Sequence, residues 1–188
     1  VKTIENSNPS EYTNHSGGAK GSDSYWDIIG REFGVVNHKH YWYKKPNPLS
    51  KPEDEITKEQ YEEGIQMIHI ANKTLKRHNI EKYMYLLARN WMQVKNADTI
   101  FAIGQLKKNN HVEGGTGWAC QMAIDNQKPL FVFNQKNNRW YKYDYNNFKF
   151  QEHLYTPRLT KNFAGIGTRE ITKNGIDAIR NVYRKTFN

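Results

Sequence analysis

Three glycine-rich turns constrain this chain most, because each sits between a strand-like run and a helix-like run. They are Ser16-Gly17-Gly18-Ala19-Lys20-Gly21-Ser22-Asp23, Glu113-Gly114-Gly115-Thr116-Gly117 and Ala164-Gly165-Ile166-Gly167-Thr168-Arg169. Glycine allows positive φ and lets a ligand come close to the main chain. A helix that starts just after such a turn presents unpaired N–H groups and the positive end of its dipole, a ready site for phosphate. Three such turns in 188 residues predict one pocket built for a nucleotide-like ligand.

The runs between the turns set the fold class. Strand patterns are read at Tyr12–His15, Val35–Tyr43, Ala97–Gly104, Pro129–Phe133 and Asn162–Gly167. Helix patterns are read at Ser22–Phe33, Lys82–Lys95, Gly117–Asn126 and Thr172–Phe187. A longer helix follows Thr57, which with Gln60 forms a capping-box pattern. Gly34 suits a helix stop. The three prolines between Lys44 and Glu55 mark a loop, and residues 1–10 read as a loose polar entry. Arg139–Phe150 alternates aromatic and polar residues about Tyr145-Asn146-Asn147, which predicts a hairpin inserted at about residues 136–152. Strands alternating with helices predict a single α/β domain, a three-layer sandwich with a mostly parallel sheet. Ligands of such sheets bind beyond the carboxyl ends of the strands, where the three turns fall.

Composition narrows the class further. Lys and Arg number 28 against 19 Asp and Glu, a net charge of +9. The lysines are scattered, with no block of five, so a solvated basic surface is favoured over nucleic-acid binding. No run of eighteen apolar residues predicts a membrane span. No basic stretch followed by an apolar one marks a signal peptide, and a single cysteine, Cys120, fits a reducing cytoplasm. No Cys/His spacing suggests a metal; His38 and His40 share one strand side, as ligand contacts or as ordinary partly buried residues. No cofactor is expected.

At the turns the chain resembles the SLOG superfamily of Rossmann-like nucleotide-binding proteins. That group includes the DNA-processing protein A branch, the lonely-guy phosphoribohydrolases and sensor domains of bacterial immune systems. Residues 16–23 resemble its S-G-G-A-x-G-x-D signature. Residues 97–103 with Gly114-Gly115-Thr116-Gly117 resemble its later strand and turn. Phe163–Arg169 resembles its opening A-I-V-G-S-R strand, here at the end of the chain. The resemblance therefore implies a circular permutation, with strand 162–167 beside strand 12–15.

The resemblance implies three cradles: Ser16, Gly17, Gly18, Ser22 and Asp23; Gly114, Gly115, Thr116 and Gly117; and Gly165, Gly167, Thr168 and Arg169. Glu113, beside the second, is read either as an acceptor for ribose hydroxyls or as a solvated loop residue. Arg169 is read either as a fork onto phosphate or as a surface ion pair with Glu170 or Asp23. Trp118 is read either as a stacking face for a base or as a core aromatic. Arg89, in Arg89-Asn90-Trp91-Met92, resembles the catalytic arginine of the phosphoribohydrolases. Their catalytic glutamate aligns with Gln121, and an amide cannot act as a general base. The leading expectation is therefore capture, without turnover, of an ADP-ribose-type or cyclic nucleotide signal, as a viral protein that sequesters an immune signal would do. Hydrolysis of a nucleotide by Arg89 and Glu113 is one alternative, and single-strand DNA binding another. The aromatic hairpin is read as a lid, an edge packing or a dimer contact, with a homo-oligomer preferred.

Overall fold

The computed structural model describes residues 7–188 and holds a seven-stranded, mostly parallel sheet between two layers of helices. In chain order the elements are β1 (Thr13–Ser16), α1 (Ser22–Glu32), β2 (Asn37–His40), α2 (Lys58–Leu75), α3 (Met84–Asn96), β3 (Thr99–Gly104), α4 (Thr116–Asp125), β4 (Leu130–Asn134), β5 (Arg139–Asp144), β6 (Lys149–His153), β7 (Asn162–Gly167) and α5 (Lys173–Phe187). The sheet order is β2-β1-β7-β3-β4-β5-β6. Strands β2, β1, β7, β3 and β4 run parallel; β5 and β6 add an antiparallel hairpin at one edge. This is the α/β Rossmann-like sandwich that the strand and helix alternation predicts.

The alternation of side chains along the strands sorts them into two cores. On β3, Ile100 and Ala102 join one face with Ile68, Leu87, Trp91 and Met122 from α2, α3 and α4. Phe101 and Ile103 point the other way, to Trp26, Ile29, Ile179 and Tyr183 from α1 and α5. Both faces being covered, β3 and β4 read as unbroken apolar runs. The Thr57–Gln60 capping box is present at α2, with its reciprocal hydrogen bonds at 2.8 and 3.1 Å.

The last strand lies beside the first. Thr13 pairs with Asn162 and Asn14 with Phe163, and buried Asn14 ties the pair by accepting from the Gly165 N–H at 2.8 Å. Elements differ from expectation mainly at their ends. The strand expected over 35–43 spans only Asn37–His40, because Val35 N–H is taken by the Gly30 carbonyl as the chain leaves α1. The helix expected from Lys82 begins at Met84, after a 3-10 turn at Glu81–Tyr83. The loose entry expected over 1–10 falls partly outside the described residues; Pro9–Glu11 forms a 3-10 turn.

Candidate functional site

Parallel strands place their following turns at one end of the sheet, and here β1, β7 and β3 deliver all three glycine turns to a common rim. The first and third are locked together. Gly21 takes φ +86°, and a Cβ there would lie 2.4 Å from the Arg169 carbonyl oxygen. Ser22 donates from Oγ to the Thr168 carbonyl at 2.7 Å, and its N–H reaches the same oxygen at 3.0 Å. The second turn is held from outside by Arg77, just past the end of α2. Its guanidinium donates to the carbonyls of Gly114 at 2.6 Å and Val112 at 3.2 Å and lies 5.4 Å from the Trp118 ring.

Between the turns lies a cavity of about 330 Å³. Asp23 lines it from the first turn, Gly167, Thr168 and Arg169 from the third, and Glu113, Gly114, Gly115 and Thr116 from the second. Arg89 closes the opposite wall from α3, beside Asn90 and Gln93. Nine of the residues singled out in the sequence thus meet in one place, although they span positions 23 to 169 of the chain.

The remaining candidates support the walls instead of lining them. Ser16 is fully buried and its Oγ accepts from the Gly18 N–H at 3.3 Å. Gly17 lies under Arg89 and Gln93, Gly18 over His40, Gly165 on Trp26 and Gly117 on the Val112 carbonyl. Ser22 is occupied by Thr168. Trp118 is 4% exposed and packs into the core below Arg77, so its ring offers the cavity no stacking face. The ion pair with Glu170 or Asp23, one of the two readings of Arg169, is not formed; the Arg169 side chain is exposed at the rim. His38 and His40 are buried on Asp27 and do not reach the cavity.

The cavity's electrostatics centre on Asp23 and Arg89. Burial pushes the Asp23 carboxyl up to about 6, against the pull of the Ala19 N–H, which it accepts at 3.2 Å, and of the nearby Arg89 charge. Burial also draws the Arg89 guanidinium down, yet arginine stays charged, and its buried Nε has no hydrogen-bond partner among the described residues. A partly buried cation with an unmet Nε donor thus lines the same cavity as the first turn of α4, which no side chain caps. Glu113 at the mouth pairs with Lys136 at 3.1 Å and is half exposed.

Sequence reasoning missed Gln93 and Leu86, which sit one helical turn either side of Arg89 and share its face. That spacing was the available signal. Arg77 carried none, because its role depends on the turn packed against it. Gln121, at the position aligned with the family's glutamate, is 6% exposed, donates to Asp125 at 2.9 Å and does not line the cavity. Cys120 is buried with its thiol pushed up to about 12 by desolvation, so it holds no thiolate for nucleophilic chemistry. The aromatics of the hairpin also lie off the cavity: Trp140 and Tyr143 pack inward, and Phe148 is exposed at the hairpin turn. Among the described residues, no helix is long and apolar enough to cross a membrane. No protein-family model, curated protein or solved structure matches the chain.

Proposed function

We propose that this cavity binds a nucleotide-derived small molecule of the ADP-ribose or cyclic nucleotide kind and retains it without turnover. One observation carries the reading. Gly115 has helical backbone angles (φ −61°, ψ −32°) that any residue adopts, and a Cβ there would meet nothing within 4 Å. The fold has no need of glycine at this point on the cavity wall. A ligand brought against the main chain supplies the need, since phosphate comes closest to backbone N–H groups where no side chain intervenes. The partly buried guanidinium of Arg89 lines the same space and supplies the countercharge.

Two features support retention: an amide, Gln121, stands where the phosphoribohydrolases that the chain resembles carry a glutamate, and Glu113 pairs with Lys136. A single protomer holding a signalling nucleotide in this way sequesters it. A second reading, cleavage of an N-glycosidic or phosphate bond, draws on Asp23, because a buried carboxyl poised at about 6 beside an arginine suits general acid or base work.

Isothermal titration with ADP-ribose and with 3′,5′-cyclic nucleotides tests the binding. The expected result is micromolar or tighter affinity for at least one, lost in Arg89→Ala; no heat with any of them from the folded wild type overturns it. Chromatography of ligand recovered after denaturation separates the two readings: intact ligand supports retention, and a product lost in Asp23→Asn supports cleavage.

A further inference from the structure

A second cavity of about 260 Å³ adjoins the first, and the two share Leu86 and Arg89 as a common wall. Its lining differs in chemistry. Tyr43, Tyr83 and Tyr85 supply ring faces, Lys45 and Lys82 supply ammonium groups, and no acidic residue lines it. Tyr83 is 48% exposed, Tyr85 37% and Leu86 39%, so three large apolar surfaces open side by side at the mouth.

Two of these rings are held by their neighbours. Tyr43 stacks on Tyr61 with centroids 4.2 Å apart, and Tyr85 packs edge-on against Tyr43 at 5.6 Å. The lysines are held by the rings and not by carboxylates. Lys44 Nζ lies 5.4 Å from the Tyr43 ring centre, Lys45 Nζ 5.7 Å from Tyr85, and Lys82 Nζ 5.1 Å from Tyr83. None of the three has an acidic partner among the described residues. A cation resting on a ring keeps its N–H donors for another acceptor.

Anchored aromatic faces beside unpaired ammonium groups, with no acid between them, accept a flat base and a phosphate together. We infer that this cavity is a second subsite, taking the second nucleotide of a dinucleotide whose first phosphate lies against Arg89 and the glycine turns. The inference rests on the nucleotide-binding reading of the first cavity and narrows its ligand class. Arg89, common to both walls, sits where the linking phosphate of two nucleosides would pass. The exposed ring edges of Tyr83 and Tyr85 are covered only when the ligand is long enough to reach them.

The probes are AMP and the linear 5′-phosphorylated dinucleotide pApA, titrated into the full chain alongside ADP-ribose. The wild type is expected to bind pApA at least about tenfold more tightly than AMP, one molecule per protomer, because the second nucleotide binds as a tethered group. The double variant Lys45→Ala/Lys82→Ala, at two exposed positions, is expected to lose that gain while its AMP affinity stays within about twofold. Tyr85→Ala is expected to do the same. Equal affinity for pApA and AMP, or a gain that survives in the lysine double variant, overturns the second subsite and leaves the nucleotide reading intact. Failure of AMP, pApA, ADP-ribose and the 3′,5′-cyclic nucleotides alike to bind the folded wild type overturns both.

Discussion

His40 donates from Nε2 to Asp27 at 2.5 Å, while its Nδ1 faces the Leu49 carbonyl at 3.2 Å. Both partners are acceptors only, so these hydrogen bonds favour the doubly protonated ring. Burial opposes that charge, but the hydrogen bond and charge of Asp27 outweigh it and hold the His40 pKa above 6.5. Burial likewise opposes the Asp27 carboxylate, and His38 and His40 hold it down at about 2. Around the pair stand Asn14 on β1, Lys39 on β2, Asp54 beside β2, and the Tyr183 hydroxyl on α5.

Stability should therefore peak in mildly acidic solution. The His40 contribution is present in full below pH 6.5 and is lost as pH rises through its higher folded value. The Asp27 contribution is present above pH 3.8 and is lost as pH falls toward about 2. Asp23, whose folded pKa of about 6 exceeds its ordinary 3.8, adds to the loss on the rising side between those values. Thermal denaturation between pH 3 and 9 should show Tm highest near pH 4, declining toward about 6 as Asp23 ionises, declining further above 6.5 as His40 loses its proton, and declining below 3.8 as Asp27 is protonated. Asp27→Asn should cost about 3–5 kcal/mol, as expected when one member of a buried ion pair is removed, and should flatten both limbs.

Ligand affinity should carry a separate pH dependence. Asp23 is neutral below about pH 6 and ionised above it, and a carboxylate facing the cavity repels a bound phosphate. ADP-ribose is the suitable probe because its pyrophosphate does not titrate in this range. Its affinity should weaken as pH rises through about 6, and Asp23→Asn should remove that dependence. A pH-independent affinity in the wild type would place the phosphate away from Asp23.

Two glycines distinguish fold from function. Alanine at Gly21 combines an unfavourable φ of +86° with overlap on the Arg169 backbone. It should cost at least about 1–3 kcal/mol and loosen the first turn from the third. Alanine at Gly115 meets open space in a helical conformation, so stability should change by less than about 0.5 kcal/mol. Affinity for the nucleotide should nevertheless fall at least about tenfold, since the added methyl occupies the ligand's approach. Paired melts and titrations of the two variants decide this.

Local chemistry was enough to place the elements. The unbroken apolar run of Thr99–Gly104, the capping box at Thr57 and the glycines that break the chain are properties of a few neighbouring residues, and the helices and strands follow from them. The adjacency of β7 and β1 was also legible, through the resemblance of the last turn to an opening strand. What decided the site was long-range packing. Arg89 and Trp118 looked alike as candidates along the chain, yet the helix face of Arg89 turns toward the cavity and that of Trp118 toward the core, where Arg77 covers it. The three glycine turns tell the same story. Their composition by itself showed that main chain would be exposed at three points; only the sheet order, which sets β1, β7 and β3 side by side, brings those points into one cavity. Among the glycines of the wall, only the folded surroundings separate Gly21, needed to close two backbones together, from Gly115, which nothing in the fold requires.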